Sequence, residues 1–177
     1  PTVQWVVVGY ALTISALLLP MGRLSDVIGR KQVYLSGIVI FVIGAAIAAT
    51  SGNIVTLILS RILQGSGAAM VQGTGMAITT SAFGPNERGK ALGLHLSVVG
   101  TGSITGPALG GILVGSLGWE WVFYVNAVGA VAALTAAFMI LDKARLQQAG
   151  PQDRFDWPGA ALSTGVLVSF LSAVTSG

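Results

Sequence analysis

The chain has 177 residues, 53% of them hydrophobic and 8% charged, with a mean hydropathy of +0.81. A soluble domain carries roughly a quarter charged residues, so this composition excludes an ordinary soluble fold and makes lipid the solvent. The net charge of +3 does not point to nucleic acid, because the basic residues sit in short segments beside apolar runs, where they set topology. With no cysteine there is no disulfide framework and no thiolate metal site. One histidine argues against a zinc or haem centre, so no metal and no cofactor is expected.

A helix needs about 20 apolar residues to cross a bilayer. Six apolar segments meet that demand, at residues 3–21, 32–51, 54–82, 91–115, 122–141 and 157–177. Strands are unfavourable, because an open sheet edge leaves backbone groups unsatisfied in hydrocarbon. The expected fold is an all-α membrane protein, a partial bundle of about six transmembrane helices. The first run has no charged region ahead of it and does not read as a signal peptide. The chain opens on Pro1 and closes within an apolar run at Gly177, so the expectation is an internal piece of a larger membrane protein.

The first connection, residues 22–31, holds Arg23, Asp26, Arg30 and Lys31, four of the fifteen charged side chains. Gly22 and Gly29 allow close approach and unusual backbone angles at the two helix ends. Asp26 lies between Arg23 and Arg30, near enough to pair with them or with a helix N-terminus. Two readings are open: a polar latch between helix bundles, or a solvated turn that only sets topology. The connections at 22–31, 83–90 and 142–156 together hold eight of the nine basic residues, and those at 51–53 and 116–121 hold none. Cytoplasmic loops are enriched in Lys and Arg, which places the first three loops inside.

The third segment carries the ninth basic residue, Arg61. It lies about 12 Å along the helix from Asn53 at 1.5 Å per residue. A membrane-embedded Arg costs at least about 2.5 kcal/mol, so it faces a cavity or a partner unless it snorkels to the outer surface. Gln64 and Gln72 fall on roughly the same face, which suggests a fixed positive charge in a polar cavity. That charge would bind substrate or bias a carboxylate on another helix, and no such carboxylate occurs within a span here.

In the fourth segment Gly102, Gly106 and Gly110 recur every four residues, with Gly111 and Gly115 continuing the run. This spacing predicts a groove for close helix packing, and Pro107 adds a kink point. A dinucleotide loop needs a strand before the glycines, and here they lie within an apolar span. His95 reads as a packed or interfacial residue or as a proton relay. Trp119, Trp121 and Tyr124 read as an aromatic belt at the outer boundary, with Trp5 and Trp157 in the same role. Asn126 is expected to hydrogen-bond between helices. Residues Gly22, Leu24, Gly29 and Val33 match Gly111, Leu113, Gly118 and Val122 at an offset of 89, across loops on opposite sides of the membrane. An inverted-topology repeat predicts that arrangement.

Together these residues resemble the major facilitator superfamily over nearly the whole chain. Residues 22–31 are similar to its cytoplasmic signature between the second and third helices. Arg61, Gln64, Gly65 and Gly67 resemble its fourth-helix signature, and Gly102, Gly106, Pro107, Gly110 and Gly111 the fifth-helix signature of its antiporters. Residues 85–93 and 119–126 also fit. Residues 155–159 resemble the entry to the extra helices of the fourteen-helix drug:proton antiporters. Relatives commonly carry Pro where Gly73 stands, so a softer kink is expected there.

The resemblance implies three domains: residues 1–141 as an N-terminal bundle lacking its first helix, 142–156 as a cytoplasmic loop, and 157–177 as the start of an extra helix. It implies that Asp26, with Gly22, Gly29 and Arg30, stabilises the outward-facing arrangement. Arg61 would tune proton coupling, and the helix of Gly106 and Pro107 would shape the cavity. The expected function is proton-coupled efflux of small molecules from a plasma membrane by alternating access. The implied partners are substrate, protons, the bilayer and the remaining half of the transporter. A dedicated exporter of one metabolite or antibiotic is the alternative on the same scaffold, and a non-transporting receptor or scaffold is the other. An enzyme is not expected, since no paired carboxylates, His cluster or nucleophile constellation is present.

Overall fold

The computed structural model describes residues 4–141 and, singly, residues 158, 159, 162, 165, 166 and 169. The sixth apolar segment, the loop at 142–156 and Trp157 therefore lie almost wholly outside the described residues. Five helices follow one another: α1 (Gln4–Ile28), α2 (Arg30–Ala49), α3 (Ile54–Ala82), α4 (Arg88–Ser116) and α5 (Glu120–Ile140). All five are long and apolar enough to cross a membrane. No strand occurs among the described residues.

The first connection is shorter than its sequence suggested. Residues 22–28 continue α1 and Arg30 already begins α2, so the loop expected at 22–31 reduces to Gly29. Gly29 has φ +116°, a conformation that side chains rarely adopt, and a single such residue reverses the chain. Arg23 and Asp26 accordingly sit on the last turns of α1, and Arg30 and Lys31 on the first turn of α2. The only other positive-φ residue among those described is Gly118, at +107°, in the break between α4 and α5. There the N–H groups of Leu117 and Gly118 both donate to the Leu113 carbonyl, a glycine-closed helix end. Gly29 and Gly118 are the residues that match at the offset of 89, so the repeat extends to backbone conformation at both helix breaks.

α3 begins at a capped end, where the Asn53 side chain accepts a hydrogen bond from the Thr56 N–H at 2.8 Å. It runs through the centre of the bundle, packed against α1 on one side and α2 on the other, and α5 packs on α2. Lipid offers no hydrophobic drive between helices, so contact depends on small residues that let backbones approach. A Cβ at Gly67 would stand 2.5 Å from both the Gly37 carbonyl oxygen and the Phe41 nitrogen. One at Gly44 would stand 2.7 Å from the Gln64 nitrogen. On the other side, a Cβ at Gly73 would meet the Leu18 carbonyl at 2.8 Å and the Gly22 nitrogen at 3.0 Å. Gly73 is thus a close contact of α3 with α1.

The glycines of α4 stand differently. A Cβ at Gly102, Gly106, Gly110, Gly111 or Gly115 would meet no atom within 4 Å. Ala91 is the one buried residue of α4, which touches α3 and α5 only slightly. The packing groove expected there faces no other described helix. α4 also runs unbroken through Pro107.

Consecutive helices run in opposite directions, so α1 and α3 lie side by side in parallel, and the breaks at residues 29 and 83–87 and the end of α5 fall at one end of the bundle. Arg30 and Lys31 confirm that grouping. The Arg30 Nη1 donates to the Ala77 carbonyl near the end of α3 at 3.3 Å, and Lys31 Nζ donates to the Leu141 carbonyl after α5. Lys31 also lies 5.6 Å from the centre of the Phe138 ring.

Three substitutions test this account in thermal unfolding of the detergent-purified protein. Gly67→Ala is expected to destabilise by about 1–3 kcal/mol, because the α2 backbone has to move away. Gly52→Ala, in open space on the α2–α3 connection, is expected to change little. Gly29→Ala is expected to destabilise by about 1–3 kcal/mol through backbone strain, although nothing stands within 4 Å of its Cβ position.

Candidate functional site

The central feature is Arg61 on α3. The residue stands about 12 Å along the helix from Asn53 and is half-buried. Two of the five N–H donors of its guanidinium are bonded within the bundle. Nε donates to the Val6 carbonyl of α1 at 3.2 Å, and Nη1 donates to Gln64 Oε1 at 2.6 Å. The centre of the guanidinium lies 4.1 Å from the Tyr10 ring centre and 5.5 Å from that of Phe123. Charge-assisted hydrogen bonds and two aromatic faces offset the loss of hydration that a buried cation suffers. Snorkelling to the outer surface is not what this side chain does.

Gln64 is fully enclosed at 1% exposure and belongs to the site. Gln72 does not join it. It lies eleven residues further along α3, about 16 Å at 1.5 Å per residue, and its side chain is exposed. Equal facing on a helix wheel does not bring residues three turns apart into contact. The sequence reading missed Tyr10 and Phe123. Both are aromatic residues in apolar spans, and nothing local marks them as partners of an arginine.

The glycines beside Arg61 make the site possible. A Cβ at Gly65 would come within 3.0 Å of the Tyr10 carbonyl oxygen and of the Thr13 side chain. The missing side chain lets α1 lie close enough for the Tyr10 ring to cover the guanidinium. Phe123 arrives from α5, where it is buried against Ala48 and Ala49 of α2, with Leu57 of α3 packed alongside.

The second group lies at the end where α1 and α2 meet. Asp26 accepts hydrogen bonds from Arg30 Nε at 3.3 Å and Nη2 at 3.2 Å, four residues apart in sequence. Arg30 also reaches the Ala77 carbonyl, so one side chain joins α1, α2 and α3. The Gly22 backbone lies against Gly73 of α3. Lys31 ties α2 to the end of α5. Arg23 is exposed. Asp26 and Arg30 are therefore joined, Gly22 packs on α3, Lys31 bonds away toward the end of α5, and Gly29 contributes its backbone at the helix break.

The other candidates resolve as follows. His95 is half-buried beside Tyr34 and Gly75, with its Cε1 3.7 Å from where a Cβ of Gly75 would be. Trp119 packs edge-on against Phe123 at 6.1 Å, and Trp121 against Tyr124 at 5.9 Å, both at the first turn of α5. Asn126 donates to the Val122 carbonyl of its own helix at 2.7 Å instead of bridging helices. The hydroxyls along the helices behave alike, as when Thr13 donates to the Gly9 carbonyl and Ser60 to that of Leu57, each at 2.7 Å. That habit satisfies a hydroxyl in lipid without a partner helix. No group of three or more metal-ligating side chains occurs among the described residues.

Known proteins carry the same pattern. The chain is 37% identical over 172 residues to the riboflavin transporter RibZ of Clostridioides difficile, covering 97% of this chain and 37% of that protein. It is 35% identical to the tetracenomycin C resistance and export protein of Streptomyces glaucescens, covering 93% of this chain and 30% of the relative. It is 34% identical to the multidrug transporter protein MdtP of Bacillus subtilis, covering 98% and 31% respectively. The chain spans about a third of the length of these relatives. The family profile described as the Major Facilitator Superfamily matches residues 1–176. An all-helical bundle of membrane-length spans, joined at Gly29 and Gly118 and matched over its whole described length, belongs to the Major Facilitator Superfamily.

Proposed function

We propose that this chain is part of the N-terminal half of a proton-coupled exporter of small molecules that works by alternating access. The observation that carries the reading is Arg61. A cation within an apolar span, bonded to the Val6 carbonyl and Gln64 and flanked by two rings, is costly to place and is kept for a task. A fixed positive charge lowers the proton affinity of a carboxylate nearby and strengthens with the dryness of its surroundings. The carboxylate would lie elsewhere in the transporter, since no acid stands within a described span interior. Similarity to drug-resistance and export proteins supports efflux as the direction of transport.

On this reading residues 1–141 are the N-terminal bundle without its first helix, and 142–156 are a cytoplasmic loop. Residues 157–177 begin one of the extra helices of the fourteen-helix antiporters. The cluster of Gly22, Asp26, Gly29, Arg30 and Lys31 lies at the cytoplasmic face of a plasma membrane and latches the outward-facing state. Gly102, Gly106, Pro107, Gly110 and Gly111 shape the cavity on the open face of α4, where the remaining half of the transporter completes the walls. A second reading, carriage of one metabolite, is favoured by the similarity to a riboflavin transporter.

Inverted vesicles containing the full-length transporter test the first reading against the second. A pH gradient is expected to drive uptake of a fluorescent cationic dye, and Arg61→Ala to reduce it roughly tenfold or more with normal membrane insertion. Gradient-driven movement of riboflavin but of no dye would establish the second reading instead. Asp26→Asn is expected to slow transport several-fold while changing unfolding stability by less than about 1 kcal/mol, since an exposed pair four residues apart contributes little. Transport assayed beside thermal unfolding separates the two effects.

A further inference from the structure

We propose that Tyr10 and Phe123 form an aromatic clamp on the Arg61 guanidinium, and that Tyr10 is the positioning residue through which Arg61 acts in proton coupling. The proposal rests on the reading of Arg61 given above and adds the residues that hold it. A guanidinium has five N–H donors in a rigid fork. Here Nε is taken by the Val6 carbonyl and one Nη1 hydrogen by Gln64, and no acceptor among the described residues takes an Nη2 hydrogen. The donors left without a described acceptor are one Nη1 hydrogen and both Nη2 hydrogens. The direction of the open donors depends on how the group is held, by the bonds at Nε and Nη1 and by the two rings that flank its centre.

Tyr10 is placed for this by its own helix. Val6 and Tyr10 are one turn apart on α1, so the carbonyl that binds Nε and the ring that covers the cation share a face. At 4.1 Å the ring is within the range where the negative face of an aromatic attracts a cation, and the attraction grows when water is excluded. Gly65 keeps that approach open, since a side chain there would push α1 away. No hydrogen bond of the Tyr10 hydroxyl occurs among the described residues, so the ring face is the part in use. Phe123 is the looser jaw at 5.5 Å and comes from a different helix, α5, which is anchored on α2. The cation keeps both rings only while α1, α3 and α5 hold this arrangement. The clamp thereby ties the direction of the Arg61 charge to the packing state of the bundle.

The test uses the full-length transporter in inverted vesicles, with membrane abundance measured for every variant. The readouts are pH-gradient-driven uptake of a cationic dye across a range of pH, and downhill dye movement without a gradient. Tyr10→Phe keeps the ring face and is expected to match the wild type in both. Tyr10→Leu is expected to lose roughly three- to tenfold of gradient-driven uptake and to shift its pH profile, with downhill movement retained. In an Arg61→Ala background Tyr10→Leu is expected to add no further loss. A wild-type pH profile in Tyr10→Leu, beside lost coupling in Arg61→Ala, would overturn the clamp alone. Coupling that survives Arg61→Ala overturns the Arg61 reading and the clamp with it. Should Tyr10→Leu fail to reach the membrane, Phe123→Leu decides: a shifted pH profile supports the clamp and an unshifted one rejects it.

Discussion

The close approach of α3 to its two neighbours is the constraint on which the rest of this structure depends. Gly67 lies against the Gly37–Phe41 backbone of α2, and Gly73 and Gly65 lie against the backbone of α1. Each contact is of a kind that a methyl group would prevent. In lipid, where apolar side chains gain nothing by leaving their solvent for one another, these contacts and the dispersion they allow are the main source of helix association. They also bring polar backbone within reach of an embedded cation. The Val6 carbonyl is available to Arg61 because α1 crosses α3 without intervening side chains.

Arg61 is the beneficiary of that geometry and its main test. A guanidinium in an apolar span is tolerated when its charge is offset, and here a carbonyl and an amide take two of its hydrogens while two rings face the cation. Gln64 is bound in turn: it accepts from Arg61 while its backbone abuts Gly44 of α2. The site therefore joins α1, α2, α3 and α5 through one residue pair. A second junction at the end of the bundle, from Asp26 through Arg30 to Ala77 and from Lys31 to Leu141, holds the same helices by exposed and half-exposed groups. The two differ in kind. The embedded one is built around a half-buried cation and the fully enclosed Gln64, whereas the Asp26–Arg30 pair of the terminal one is partly exposed and more open to screening by salt.

α4 stands apart from both junctions. Its glycine-rich face, its hydroxyls and most of its apolar side chains are exposed, and it touches its neighbours only lightly. The helix is rich in small residues and lightly packed, and the chain spans about a third of the length of its relatives. Gly106 and Pro107 belong to this unpartnered surface, which is why their resemblance to the antiporter signature has no counterpart in contacts within the described residues.

Much of this was legible in the sequence, because segment length, apolar content and charge placement are local properties. The first five spans, the basic character of one end, the embedded Arg61 and the pairing of Asp26 with a neighbouring arginine all follow from counting residues along the chain. The family resemblance followed from ordered motifs, and Gly29 was visible as the residue that allows a sharp reversal, although the loop around it proved to be helix. Which helix faces meet was another matter. A span that is apolar all round carries no amphipathic stripe to say which side is inward. The regular spacing of the α4 glycines pointed to close packing there, whereas the tertiary structure places it at Gly37 and Gly44 of α2 and at Gly65, Gly67 and Gly73 of α3. It also separated Gln72 from Arg61 and supplied Tyr10 and Phe123. Membrane-length helices are set by hydrophobic length, a one-dimensional quantity, but the partners of a buried charge are set by close packing in three dimensions.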